Sequence, residues 1–384
     1  MTGVSHLNFR NGERIDLEEI PWVDIDTFRT TILRTLADGG RILSFFMWPR
    51  EGESALVAVI GLANSGSFLP LLARVEESYP ALTPECPQAH LFEREIFEQW
   101  GVHPEGHPWL KPVRFQARNH PGKRLPERCA RAATDFFQVR GEEVHEVAVG
   151  PVHAGIIEPG HFRFQCFGEE VLHLEISLGF QHRGVESALP GGPDKRTLHY
   201  METLAGDTTI GHALAYAQVV ESLSGCIPSA RVQAVRGIAL ELERLANHIG
   251  DLGAMAGDIG YLPTASFCGR IRGEFLNMTA LFCGNRFGRG WVKPGGLGFD
   301  LDNARARELT RRIETVFPDL IDSVSLLWHT PSVLARFEDT GRISRETAEA
   351  LGLVGPAARA CGLQRDVRFA FPSGIYTMPH LPPS

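Results

Sequence analysis

The feature that most restricts the fold is a change of period partway along the chain. Up to about residue 176 the apolar residues come in short runs and alternations. From Leu198 onward they recur at i, i+3 and i+4 through four segments: Leu198 to Leu223, Ser229 to Gly257, Arg270 to Phe287 and Asp302 to Trp328. Helices of that length must bury one stripe against each other, which predicts a bundle. Ahead of them, Asp24 to Ala37 reads as a capped helix, Arg41 to Trp48 and Ser54 to Leu62 as strands, Phe68 to Tyr79 as a helix, and His90 to Trp100 as a short amphipathic helix. Strands are predicted again at Glu143 to Val149, Gly160 to Phe167 and Glu170 to Ile176, the last two joined by a hairpin-like turn at Gly168. The expected class is α+β: a small N-terminal mixed α/β domain, then a mainly α-helical bundle domain fronted by a small antiparallel sheet.

Several function classes fall away on composition. A formal charge of -8 argues against a phosphate-binding scaffold, so no nucleic-acid partner is expected. The longest apolar run, Ala55 to Ala63, is far short of the ~20 residues that a spanning helix needs, and the N-terminal twenty residues have no apolar run after a basic start. Cys86, Cys129, Cys166, Cys226, Cys268, Cys283 and Cys361 are scattered, with no CxxC, which predicts reduced thiols in the cytoplasm and excludes a linear zinc or iron-sulfur motif. GxGxxG after a strand, GxxxxGK[ST] and GxSxG are absent as well, so nucleotide binding and nucleophile-elbow hydrolysis lack support.

Longer motifs carry a family signal. The segment EREIFEQWGVHPEGHPWLKPVRF, Glu93 to Phe115, resembles the signature of the C-type (30 kDa-type) subunit of bacterial NADH:quinone oxidoreductase, complex I. VGPVHAG (Val149 to Gly155), EPGHFRF (Glu158 to Phe164), GFQHRGVES (Gly179 to Ser187), IPSARVQAVRGIALELERLANHI (Ile227 to Ile249), KPGGL (Lys293 to Leu297) and GPAARACGLQRDVR (Gly355 to Arg368) resemble the D-type subunit of complex I and the large subunit of membrane-bound NiFe hydrogenases. A C-like domain fused to a D-like one is also how the formate-hydrogenlyase large subunit is built. The resemblance implies a C-like domain over residues 1–125, a linker over 126–145 and a D-like, NiFe hydrogenase large-subunit-like domain over 146–384.

In the hydrogenases, two CxxC pairs hold the nickel-iron centre. Here the first pair falls on Ala205 and Thr208, and no CxxC follows Arg368. Neither a methyl nor a hydroxyl replaces a soft thiolate toward nickel, so no metal is expected on this chain. What the resemblance to the D-type chain of complex I implies instead is a quinone headgroup site. By its motifs His153 and Tyr216 match the hydrogen-bonding residues, and Asp258 matches the acid that pairs with the loop histidine. Reducing a quinone carbonyl needs proton donors at both oxygens, which an imidazole held by a carboxylate and a phenol supply. Simpler roles fit the same residues: His153 tying down a Gly-Pro turn, Tyr216 as half-buried core, Asp258 capping the turn at Gly260.

His182 and Arg183 resemble the pair that lies toward the terminal iron-sulfur cluster of a neighbouring small subunit, although an interface ion pair suits Arg183 equally. Glu186 matches an acid near a divalent ion in some hydrogenases, and Met255 stands where many complex I chains carry a histidine. The implied setting is a core peripheral-arm subunit, cytoplasmic and peripheral to the membrane through its complex. It would bind no cofactor itself, border a quinone or other acceptor, and pack against a small B-like iron-sulfur protein and other hydrophilic and membrane subunits, with NADH oxidised elsewhere. A structural subunit with a degenerate cavity and a NiFe hydrogenase are the rival expectations.

Overall fold

A computed structural model describes residues 7–50, 53–114, 136–151 and 159–378. By packing, the chain divides into two units, residues 1–184 with 343–371 and residues 185–342 with 372–384.

The first unit opens with β1 (Phe9–Arg10), β2 (Trp22–Val23), α1 (Ile25–Ala37), β3 (Arg41–Arg50), β4 (Glu53–Leu62) and β5 (Ser67–Arg74). β3, β4 and β5 are antiparallel neighbours. β1 and β2 share the other edge of β5, β1 antiparallel and β2 parallel to it. Asp24 caps α1 by accepting from the Thr27 amide at 2.8 Å, and the helix buries Phe28 and Ile32 on the sheet. The stretch expected as a helix from Phe68 to Tyr79 is instead β5 followed by β6 (Ser78–Pro80). Because β5 is buried on both faces, Leu69, Leu71 and Ala73 in one core cluster and Leu72 in another, no alternation shows and the run imitates helical spacing.

α2 (His90–Trp100) connects β6 to its parallel partner β7 (His103–Glu105) and carries three buried charges, Glu93, Arg94 and Glu98. Each has backbone targets. Glu93 accepts from the Leu82 and Thr83 amides at 2.7 and 3.0 Å, Arg94 donates to the Lys111 and Pro112 carbonyls at 2.6 and 2.8 Å, and Glu98 accepts from the Val113 and Arg114 amides at 2.8 and 2.9 Å. Burying these charges is tolerable because each satisfies loop groups that would otherwise be orphaned.

β8 (Val144–Val149), β9 (His161–Phe167) and β10 (Glu170–Ser177) form an antiparallel meander. Read from the sequence, this sheet fronts the helical region; by packing it sits in the first unit. Three contacts account for that: Lys111 pairs with Glu175, the Phe137 amide donates to Glu175 at 2.8 Å, and Gly179 (φ +97°) backs onto Val113 so closely that a Cβ would stand 1.9 Å from its carbonyl oxygen.

The second unit holds α3 (Val185–Ala188), α4 (Thr197–Met201), α5 (Thr209–Ser224), α6 (Ala230–Asp258), α7 (Leu262–Cys283), the hairpin β11 (Val292–Lys293) and β12 (Gly296–Leu297), α8 (Asn303–Trp328) and α9 (Pro331–Phe337). The continuous helix expected from Leu198 is broken by a loop, where Glu202 turns its carboxylate to the Gly290 amide at 2.6 Å. Leu242, Ile249, Ile271, Phe275 and Met278 form the core of the bundle. Arg236 and Glu221, both buried, meet at 2.6 and 3.1 Å. The guanidinium also donates to the Lys293 and Gly296 carbonyls, and the Gly295 amide donates to Glu221 at 2.7 Å. Among the described residues no helix is long and apolar enough to cross a membrane. The chain then returns to the first unit with α10 (Arg345–Ala350), α11 (Gly355–Ala360) and α12 (Val367–Ala370), where Phe371 stacks on Phe68 at 4.9 Å.

Candidate functional site

His153 lies outside the described residues, as does Cys129. Tyr216 is half-buried on α5, and Asp258 is exposed at the last residue of α6. α5 and α6 run antiparallel, since Ile210 reaches Glu243 while Glu221 reaches Arg236. Tyr216 is therefore level with residues near 239, and Asp258 stands ~28 Å farther along α6 at 1.5 Å per residue. The two do not share a site. His182 and the exposed Arg183 sit in the first unit, in a turn closed by the His182 amide on the Gly179 carbonyl at 3.1 Å, with Arg183 donating to Gln181. Glu186 is exposed in the first turn of α3.

A different group of residues meets at the start of α5. Thr208 is the N-cap residue, but its side chain makes no capping bond. The first amides of a helix need acceptors, and here Glu243 of α6 supplies them, accepting from Ile210 at 2.6 Å and Gly211 at 3.0 Å. Gly211 permits this approach: a Cβ there would stand 3.3 Å from a Glu243 oxygen. Helix-end amides and the nearby Arg244 favour the carboxylate, while burial and the neighbouring Asp207 disfavour it. Burial is the largest influence, and Glu243 is pushed up to about 7.

Glu243 borders two hollows. The outer one, about 350 Å³, is lined by Thr208, Gly211, His212, Leu240, Glu243 and Arg244. Burial holds the His212 imidazole below its ordinary value, so it is neutral near pH 7 and free to exchange one ring proton. Tyr216 lies one turn beyond His212 on the same side of α5. The inner recess, about 10 Å³, is near the room one water occupies and is bordered by Asp207, Asn247, Arg272 and Arg286. There Arg272 pairs with Asp207 at 2.9 Å, and Asn247 donates to the Asp207 carbonyl at 3.0 Å. Behind the outer hollow, Tyr376 donates to Glu241, which also binds Arg244 at 3.0 Å; burial, then that carboxylate, push the phenol up to about 12.

The sequence reading passed over Glu243, His212, Asp207 and Arg244. A signal was present for Glu243, an acid bordering the apolar stripe of Ala239, Leu242, Ala246 and Ile249.

Comparison with known proteins agrees with the motifs. Residues 48–124 match the respiratory-chain NADH dehydrogenase 30 kDa subunit family and residues 258–379 the 49 kDa subunit family. Formate hydrogenlyase subunit 5 of Escherichia coli is 29% identical over 344 residues, 84% of this chain and 60% of that protein. NADH-quinone oxidoreductase subunit 4 of Thermus thermophilus is 32% identical over 235 residues, 61% of this chain and 57% of that one. The fused C/D chain of the NADH-quinone oxidoreductase of Gluconacetobacter diazotrophicus is 24% identical over 323 residues, covering 77% of this chain and 54% of its own. The chain thus spans between half and two thirds of the length of these relatives. A chain of the membrane-bound sulfane sulfur reductase, an archaeal respiratory membrane complex, shares the fold, with a TM-score of 0.58 at 22% identity over 61% of this chain and 63% of that one. With both family regions present in this order, the chain belongs to the family that fuses a complex I 30 kDa-type region to one of the complex I 49 kDa and membrane-bound hydrogenase large-subunit type.

Proposed function

We propose that this chain is a core subunit of a complex I-like membrane oxidoreductase and borders the place where an acceptor, a quinone in the first instance, takes up electrons and protons. The electrons come from an iron-sulfur cluster on a small partner subunit, toward which His182 and Arg183 face in the assembly. This chain supplies proton-exchanging groups and no redox metal. The observation that carries the reading is Thr208. Where the resemblance to hydrogenases puts a nickel-binding thiolate, a hydroxyl lines the outer hollow beside Glu243 and His212. Tyr216, one turn beyond His212 on the same side of α5, would extend this site along the helix.

Purification with its native partners, followed by subunit identification and acceptor-reduction assays, tests the reading. A small iron-sulfur subunit and quinone reductase activity that falls in Tyr216→Phe are expected. Stoichiometric nickel on the purified chain would refute it in favour of a hydrogenase. A second reading, a structural subunit without chemistry, draws on the separation of Asp258 from Tyr216. It predicts that Tyr216→Phe leaves acceptor reduction unchanged.

A further inference from the structure

We infer that Glu243 is the proton-exchanging acid of this site, set as the link between the inner recess and the outer hollow. This deepens the proposed function and rests on it. The geometry comes first. Among the described residues, Glu243 alone borders both hollows. Its carboxylate is held by two amides of the α5 N-terminus, and so is fixed in place whether or not it carries a proton. On the recess side stand Asp207, Asn247, Arg272 and Arg286, enough polar partners for one exchangeable water. On the hollow side stand Thr208, His212 and Arg244.

The charges around the acid work against each other. From the loop before α5, Asp207 favours the protonated acid; on α6 itself, Arg244 favours the carboxylate; from α7, Arg272 is engaged by Asp207. His212, on α5, lines the same outer hollow, with burial favouring its neutral form. With burial added, the acid is half-protonated near neutrality, where a proton carrier is most effective. Delivery breaks the Glu243 O–H bond and forms an O–H bond on an acceptor oxygen in the outer hollow, directly or through His212. Return breaks an O–H bond of water at the recess and restores the carboxyl. Only protons move in these steps, and the electrons remain with the partner cluster.

Difference infrared spectroscopy of the full chain from about pH 5 to about pH 9, with Glu243→Gln as the reference, tests the acid. A protonated-carboxyl stretch present only in the unaltered chain, and lost with a midpoint near 7, is expected. Asp207→Asn removes the like charge and should move that midpoint down; Arg244→Gln should move it up. Should Glu243→Gln fail to fold, these two shifts remain as the readout, and a midpoint that neither moves overturns the inference. So does a midpoint in the ordinary carboxylate range. In the assembled complex, Glu243→Gln should slow acceptor reduction about 100-fold at neutral pH, with partial recovery in Glu243→Asp. Full turnover in Glu243→Gln sinks the inference and leaves the proposed function standing. A near-neutral Glu243 in a complex that reduces no acceptor sinks the proposed function and, with it, the delivery step.

Discussion

Arg236→Met is the most searching test of how the second unit is held together. Methionine keeps the length and helix propensity of the side chain, so α6 itself should persist. What is lost is specific: two bonds to Glu221 and two to the Lys293 and Gly296 carbonyls. Glu221 stays buried with the Gly295 amide against its charge. Removing one member of a buried pair costs about 3–5 kcal/mol, mostly through the charge left behind. Native-state hydrogen exchange of a peptide spanning residues 290–298 should report that loss as a rise of roughly two to three and a half powers of ten in the local opening constant. The double variant Glu221→Leu, Arg236→Met removes both charges and should recover at least ~1 kcal/mol of the loss. If Arg236→Met costs less than ~1 kcal/mol, the ion pair does not hold the hairpin on α5 and α6, and the argument fails.

Glu93→Ala leaves the Leu82 and Thr83 amides without their acceptor, and at ~1–3 kcal/mol for each buried orphan the first unit should lose about 3 kcal/mol in denaturant unfolding. Gly179→Ala should cost more than ~2 kcal/mol in the same assay, because the Cβ meets the Val113 carbonyl and φ is positive. The pH responses of two groups should run in opposite directions. Burial, then Arg94 and His107, hold His90 at about 4; between 6.5 and that value the unfolded chain takes up a proton the folded chain refuses, so the first unit weakens as pH falls. The ring is half-buried and still partly screened by solvent, so about 1 kcal/mol is expected, and His90→Gln should flatten the fall. Glu243 is raised from 4.5 to about 7, so the second unit should weaken as pH rises through that window, read as faster exchange of the first α5 amides.

Much of the fold was legible because period is a local property. α1, with its Asp24 cap, the strands β3 and β4, and the long α6 and α8 all lie within a few residues of their expected places. β5 was not legible: a strand covered on both faces has no alternation, and Leu69, Leu71 and Leu72 satisfy a helical template as well as a strand. The break before α5 was hidden for a related reason. Glu202 ends α4 by turning to the amide of Gly290, a partner 88 positions away that no local pattern announces.

The site shows the same limit more sharply. Glu241 and Glu243 stand two residues apart in the same motif and are chemically identical in the sequence. On a helix they point about 200° apart, and that angle separates their roles. Glu241 turns to Arg244 and Tyr376, while Glu243 turns to the buried side and meets the amides of Ile210 and Gly211. The position of Ala239, Leu242, Ala246 and Ile249 was enough to say which acid leans toward the core, but not what receives it. That depends on where α5 begins, and its N-cap is Thr208, the position where the resemblance to hydrogenases puts a metal ligand. A hydroxyl adds no charge to the hollow, so the proton affinity of Glu243 is left to burial, the Ile210 and Gly211 amides, Arg244 and Asp207. The lack of a soft ligand at 208 and the raised proton affinity at 243 thus meet in one local arrangement, the one on which the proposed proton exchange rests.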